Sequence, residues 1–356
     1  MKKILICGAG GTPSTNFVRS IRKMDEDIFI VGVDSNKYTL QRAETNKKYL
    51  VPRADNENYI DILNTIIEEN NIEFIHAQND VEIHYISENR EKLKAKVFLP
   101  TKQTIQLCQD KYASYSIWAG NGIKVPKTKM IYNERALQKA FDEFGPKMWI
   151  RHITGGAGKD SYPAQGYEDA LAWINFKNGW GHFTAAEMLL ENSITWSSIW
   201  NNGELIVAQS RKRLYWEFAD RAPSGITGIT GTGVTFSDKQ FDDLAIKSIL
   251  AIDNNPNGLF SVDMTYDKDM LPNPTEINIG RFFTTHYFFT EAGLNLPEIF
   301  LKIAYNEPFV VPTKKINPLP DNLAWVRGMD CHPVLTTMDE IEQENSELQD
   351  RLNTLK

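Results

Sequence analysis

Two stretches near residue 270 carry oxygen-bearing side chains at spacings that suit a divalent cation. The first is Gly258-Leu-Phe-Ser-Val-Asp263-Met-Thr, an apolar, β-branched run interrupted by one carboxylate. The second, after a polar turn, is Pro274-Thr-Glu276-Ile-Asn278-Ile-Gly-Arg281-Phe. Period-two alternation puts Glu276 and Asn278 on the same face of one strand. Paired as a hairpin, the two runs bring Asp263, Glu276 and Asn278 to one spot, with Arg281 just beyond. Hard oxygen ligands with little sulfur or imidazole nearby suit Mg²⁺, with Mn²⁺ as the alternative, held jointly with phosphate oxygens. The plain alternative is a hairpin with polar residues on its solvent face, and the rest of the chain decides between the two.

Four further segments carry chemistry. Asp110-Lys111 opens a helix that leaves through Gly122-Ile-Lys-Val-Pro126. Lys147-Met-Trp-Ile-Arg151-His-Ile-Thr-Gly155-Gly156-Ala-Gly158-Lys159 reads as a strand and a glycine-rich turn before a second strand. Backbone N–H groups in such a turn close over phosphates, and Arg151 or Lys159 can supply positive charge; a plain hairpin loop is the alternative. Phe183-Thr-Ala-Ala-Glu187 ends a strand, where a carboxylate can read an adenine amino group or simply face water. Ala208-Gln-Ser-Arg211-Lys212-Arg213 ends another strand in three cations, ahead of the Gly/Thr-rich stretch 224–233. That stretch suits a lid over an anion, or a floppy loop.

The elements that must position these groups follow from periodicity. Over residues 1–104 strands alternate with helices: Ile4-Leu-Ile-Cys7, a Gly8–Gly11 turn and a helix, then Ile28 to Val33 ending at Asp34. Helices follow over 57–70 and 80–93 with Glu73–His76 between them, implying a doubly wound parallel sheet. The glycine turn lacks the third glycine of the dinucleotide fingerprint, so a tight turn explains it better than NAD. Helical stretches from Thr104 to Gly120 and near 133–143 precede β-rich runs at 147–152, 183–188, 194–200 and 204–213. A helix over about 237–252 leads into the hairpin. Residues 306–337 read as a proline-rich irregular wrap. In the last segment, 338–356, Met338, Ile341, Asn345, Leu348, Leu352 and Leu355 recur at coiled-coil spacing. That seam fits either a homodimer contact or a helix packed on its own domain.

The totals narrow the class. With 356 residues, 42% hydrophobic and 24% charged, two or three domains with real cores are expected. A net charge of −7 argues against a general nucleic-acid binder. Cys7, Cys108 and Cys331 are too far apart for a thiolate zinc motif and argue against a disulfide framework. Neither a secretory signal nor an 18-residue apolar span is visible, so a cytoplasmic protein away from membranes is expected.

Taken in order, the Asp-Lys helix, the Arg-then-glycine loop and the Asp…Glu-x-Asn hairpin resemble the ATP-grasp superfamily of ligases. The likeness runs to about residue 305 and is nearest the carbamoyl-phosphate-synthetase-like carboxylate–amine ligases. It implies a Rossmann-like preceding domain (1–104) and an ATP-grasp domain (105–305). The latter would divide into a small ATP-binding subdomain (105–182) and a larger β-rich one (183–305). It further implies Mg²⁺ on Asp263, Glu276 and Asn278, and triphosphate contacts from Lys111 and Arg151 with Gly155, Gly156 and Gly158. Glu187 would lie near the adenine, Arg281 at the transferred phosphoryl group and Arg211 at the acid substrate. The sequence departs from the family pattern where a ribose-binding Glu is usual, since that register gives Ile194. It departs again in Glu276-Ile-Asn278-Ile-Gly-Arg281, which is one residue longer than the family's motif.

The activity implied is phosphorylation of a carboxylate by ATP, followed by displacement of phosphate by an amine (or a thiol). Three rivals share parts of this pattern. A carbamoyl-phosphate-synthase-like enzyme would phosphorylate bicarbonate or carbamate, and a nucleotide-binding module would have no catalysis. An NAD-dependent oxidoreductase rests only on the first glycine turn.

Overall fold

The computed structural model of the chain describes every residue except 157, 192, 331, 333 and 356, so Cys331 lies outside the described residues. Its first sheet is parallel, with strands β1 (Lys2–Cys7), β2 (Ile28–Asp34), β3 (Lys47–Leu50) and β4 (Phe74–His76) in the order β3-β2-β1-β4. Strands buried on both faces must be apolar throughout, and Ile4, Leu5, Ile6 and Cys7 are all fully buried. The helix after β4 starts where the Asn79 side chain accepts the Glu82 N–H at 2.9 Å, and it stops at Glu88 rather than 93.

The first glycine turn makes room for the chain itself. A Cβ on Gly10 would overlap the Thr39 carbonyl. Asp34 accepts the Gly10 N–H at 3.1 Å, the Asn36 N–H at 2.9 Å and the Thr39 hydroxyl at 3.0 Å. The crevice where a dinucleotide pyrophosphate would rest is therefore filled by residues 39–40, and the carboxylate that would read a ribose is already engaged.

Below that turn lies a buried acid. Glu82 accepts from the Tyr59 hydroxyl at 3.3 Å and from the Asn79 amide. Burial, then the charge of Asp34, push its pKa up from 4.5 to about 8. Between those two pH values the folded protein holds a proton that the unfolded chain has lost. The stability contributed by protonated Glu82 is thus complete below about pH 4.5 and lost as pH rises toward 8. Glu82→Gln is expected to flatten that fall and to stabilise the protein by a few kcal/mol at pH 8, read from urea unfolding at pH 5, 6.5 and 8.

A second, four-stranded antiparallel sheet contains β5 (Thr128–Ile131), β6 (Met148–His152), β7 (Ser161–Ala164) and β8 (Phe183–Glu187), ordered β5-β8-β6-β7. Helices Glu134–Phe144 and Tyr167–Phe176 cover one face and close a separate core around Ile131, Met148, Ile150 and Phe183. Because β8 pairs with both β5 and β6, this unit ends at Glu187 and not at 182.

The third sheet is six-stranded and antiparallel: β9 (Ser193–Asn201), β10 (Glu204–Trp216), β11 (Thr230–Phe236), β12 (Gly258–Tyr266), β13 (Pro272–Ile279) and β14 (Ala324–Val326). Its order is β13-β12-β9-β10-β11-β14. The stretch 306–337 is thus not wholly irregular, since β14 adds the edge strand beside β11. Helices Lys102–Gln109 and Lys111–Gly120 pack here: Ile105, Cys108 and Trp118 share one core with Phe260, Val262 and Ile277, while Tyr115 of the second helix also accepts the Thr128 N–H of β5 at 3.4 Å. The parallel domain joins the same core through Leu5, Val31 and Ile75, and a second one through Phe17, Phe74, Phe282 and Phe300. The first and third sheets are therefore fused by continuous apolar packing, whereas the second keeps its own core.

The C-terminal helix Met338–Thr354 begins with a Thr337–Glu340 capping box. Leu348 packs with Leu40 and Leu50 of the same chain, Leu352 adds to that cluster, and Ile341 is buried too. Lys37–Glu342 and a double Arg351–Glu69 bond (2.7 and 3.0 Å) flank the strip. Of the two readings of this seam, the structure has the helix on its own domain, because β3 and residues 37–40 present an apolar strip edged by complementary charge.

Candidate active site

Four candidate side chains lie on one rung of the large sheet. Register pairs Arg211 with Thr195, Thr195 with Asp263, and Asp263 with Glu276, across β10, β9, β12 and β13. Neighbouring strands are about 4.8 Å apart, so four strands deliver a cation, a hydroxyl and two carboxylates in one polar row. The intervening residues Val262 and Ile277 point into the core, which is why alternation holds.

Asn278, two residues beyond Glu276, donates to Asp263 Oδ2 at 2.9 Å. Thr195 Oγ1 donates to the other oxygen of Asp263 at 2.5 Å. A bulge between Asp263 and Met264 aims the Thr275 carbonyl at Arg151, whose Nη2 donates to it at 3.0 Å. Among the described residues there is no group of three His, Cys, Asp or Glu side chains able to hold a metal ion. Two carboxylates and an amide are what this site offers. That set fits Mg²⁺, which keeps water and phosphate oxygens for its remaining positions.

Cations surround the row. Lys111 is the first residue of its helix because Asp110 caps it, accepting from the Tyr112 and Ala113 N–H groups at 2.9 Å each. The Lys111 N–H donates to the Ile153 carbonyl at 2.8 Å, docking this helix start beside the glycine loop. Lys111 Nζ reaches the Gly155 carbonyl and lies 3.7 Å from Glu276. Burial lowers its pKa, and Glu276 opposes that shift. Arg211 is 1% exposed, donates from Nη2 to Thr195 at 3.2 Å and sits 5.1 Å from the Phe283 ring. Its buried Nε and Nη1, like Arg151 Nε, have no partner among the described residues. Burial brings the Arg211 pKa down to about 10, with Asp263 pulling it back up. Buried N–H groups of a guanidinium are almost always paired, so three such atoms around one row point to an anion that belongs there. Arg213 is held by Ser193 (2.6 Å) and Thr230 (3.0 Å) and stacks on Trp216.

The glycine loop covers the row. Gly155 and Gly158 adopt φ of +87° and +66°, which favour glycine. Gly158 lies so close to Ile226 that a Cβ there would collide with it, and Ser224 Oγ donates to the Gly158 carbonyl at 3.4 Å. The loop after β10 thus rests on the glycine loop. Of the stretch read as a lid, residues 230–233 belong to strand β11, and the whole loop between β10 and β11 spans 217–229. Lys159 is exposed.

Glu187 stands apart. Its Oε2 accepts the Lys127 N–H at 2.9 Å, tying β8 to the segment before β5 at the seam between the two antiparallel sheets. Ile194 is buried in the core, while its neighbours face the row: Ser193 holds Arg213, and Thr195 bridges Asp263 and Arg211. Arg281 is gripped by Asp80 and by Asn278.

Asp80 escaped the sequence reading, as did Thr195 and the Arg327–Asp330 pair (2.6 Å). Asp80 follows the carboxyl end of a parallel strand at a helix start, a position where such sheets collect ligands, and that was its available signal. Arg-x-x-Asp in a proline-rich stretch carried none.

A parallel-sheet domain, a small antiparallel sheet and a large one, with carboxylates on the large sheet and a glycine loop from the small one closing over them, define the ATP-grasp fold. The comparisons agree. Residues 4–98 match the family described as the PylC-like N-terminal domain. The N5-carboxyaminoimidazole synthetase of Staphylococcus aureus superposes with a TM-score of 0.65 at 15% identity, covering 87% of this chain and 78% of that one. The carboxyaminoimidazole ribonucleotide synthase of Aspergillus clavatus, solved with ATP, gives 0.67 at 13% identity over 100% and 99%. The biotin carboxylase domain of the Hydrogenobacter thermophilus 2-oxoglutarate carboxylase, solved with MgADP, ADP and bicarbonate, gives 0.70 at 15% identity over 91% and 73%. No curated protein matches the sequence. No helix among the described residues is long and apolar enough to cross a membrane.

Proposed function

We propose that this chain is an ATP-dependent carboxylate–amine ligase that works through an acyl phosphate. The observation that carries this reading is Arg211: a buried guanidinium, two of whose nitrogens have no partner among the described residues, on the same rung as Asp263 and Glu276. That row offers an anion site beside a set of oxygen ligands for a metal.

In this reading Arg211 holds the acid substrate and strips water from it. Lys111, Arg151 and the N–H groups of Gly155, Gly156 and Gly158 hold the triphosphate. Mg²⁺, on Asp263, Glu276 and Asn278, would neutralise charge on the phosphoryl oxygens. The substrate carboxylate oxygen attacks the γ-phosphorus, and ADP leaves. Arg281 steadies the phosphoryl group in flight and on the acid. The amine then adds to the acyl carbon, the C–O bond to phosphate breaks, and an amide and inorganic phosphate result. The 217–229 loop, resting on the glycine loop, keeps water from that intermediate. Glu187 marks the seam where an adenine would lie.

The test is an ADP-release screen with amino acids and small carboxylic acids, singly and in pairs, with Mg²⁺ and ATP. Acid-dependent release, raised by an amine (or by a thiol), is the expected result. Failure of the protein to bind ATP with Mg²⁺ would overturn the reading. Arg211 also suits bicarbonate, the anion present in the biotin carboxylase structure. Turnover of labelled bicarbonate with no organic acid would favour that branch, and nucleotide binding with no turnover would favour a sensing module. Buried, free Cys7 and Cys108 support a reducing compartment, the cytoplasm. A homodimer through the C-terminal helix would have to use outward residues such as Met338 and Leu355, and sedimentation velocity reads it directly.

A further inference from the structure

Arg281 is held by the parallel-sheet domain. Its Nε donates to Asp80 Oδ1 at 2.6 Å and its Nη2 to Asp80 Oδ2 at 3.2 Å, a two-point grip that fixes the plane of the guanidinium. Nη2 also donates to Asn278 Oδ1 at 2.6 Å. Nη1 takes part in none of these bonds. Asp80 sits at the first position of helix Asp80–Glu88, whose start is fixed by the Asn79 cap. From the other side the glycine loop closes on the same pair: a Cβ on Gly156 would stand 3.3 Å from Asp80 Oδ2 and 4.0 Å from Arg281 Nη2. Burial opposes ionisation of Asp80, but Arg281 prevails and holds its pKa below the ordinary carboxylate value.

Resting on the ligase reading above, we propose that Asp80 is a positioning residue for phosphoryl transfer. By gripping Nε and Nη2 it leaves Arg281 to meet the transferred phosphoryl group through Nη1 alone, in one fixed orientation. The parallel domain thereby supplies part of the reaction geometry, and the extra residue before Arg281 is accommodated because an anchor outside the hairpin sets its reach. A loose arginine would have to be ordered at each turnover, and misplacement by about 1 Å is enough to cost about a hundredfold in rate.

Two measurements test this. The first is the Arg281 Nε–H signal in ¹⁵N NMR, followed as Mg²⁺ and a non-hydrolysable ATP analogue are added. It should stay shifted and slow to exchange, and should be lost in Asp80→Asn. Release of the signal on loading overturns the proposal, because Asp80 would then be a partner only of the empty site. The second is kinetic, with the acid identified on the wild-type protein. Asp80→Asn should lower kcat about a hundredfold with KM for ATP changed less than about threefold, and Asp80→Glu should recover part of the loss. Adding Asp80→Asn to Arg281→Ala should cost nothing further. Additive losses, or an Asp80→Asn enzyme within threefold of wild type, overturn the proposal. If Asp80→Asn unfolds, Asp80→Glu and Arg281→Lys carry the same comparison. A wild-type protein that releases no ADP with any acid sinks the ligase reading instead, and the NMR result still decides whether Asp80 holds Arg281 in the loaded site.

Discussion

Glu276→Gln is expected to lower acid-dependent ADP release about a thousandfold and leave the protein folded. Glu276 lies opposite Asp263 on the β12–β13 hairpin, and its ion partner, Lys111, is 3.7 Å away. Glutamine keeps the shape and one oxygen but removes the charge that would bind the metal. A thousandfold loss corresponds to about 4 kcal/mol of transition-state stabilisation, a reasonable share for one anionic ligand of a phosphate-bound cation. Stability should change by about 1 kcal/mol or less, since the carboxylate is partly exposed and Lys111 keeps the Gly155 carbonyl. Binding of Mg²⁺ with ATP, by calorimetry, should weaken in parallel. An enzyme retaining more than a tenth of its rate would show that the hairpin is not the metal site.

Arg211→Met should do the opposite to stability while also disabling the enzyme. A guanidinium 1% exposed, with two nitrogens that no described residue meets, costs folding energy that Asp263, Thr195 and the Phe283 ring offset only in part and that a bound anion would offset further. Methionine fills much of the same volume against Phe283 without that desolvation. The variant is expected to unfold about 1–3 kcal/mol later than the parent in the absence of ligands. Its KM for the acid should rise at least about a hundredfold, because the carboxylate loses a charge-assisted pair in a dry site. Differential scanning calorimetry and acid titration of ADP release measure the two halves. A destabilised Arg211→Met would mean that the arginine serves the fold.

Much of the site was legible because its logic is local. Alternation put Glu276 and Asn278 on one face, and glycines marked the loop of β6 and β7. Asp110 before Lys111 marked a helix start. These features depend on a few residues in a row and on the pleat of a strand or the orphan N–H groups of a helix end. The C-terminal helix shows where such reading stops: its spacing was plain, but whether the seam met a second chain or Leu40 and Leu50 depended on a surface some 300 residues away.

By itself, the sequence determined that Glu276 and Asn278 share one face of a strand, since side chains alternate with period two. It also marked the glycine turn that joins β6 to β7. Tertiary structure decided that Arg211, Thr195, Asp263 and Glu276 share a rung, because register between strands up to 68 residues apart is set by the packing of their buried faces. It decided as well that Arg281 answers to Asp80, 201 residues away, because continuous cores fuse the parallel domain to the large sheet and carry that carboxylate into the site.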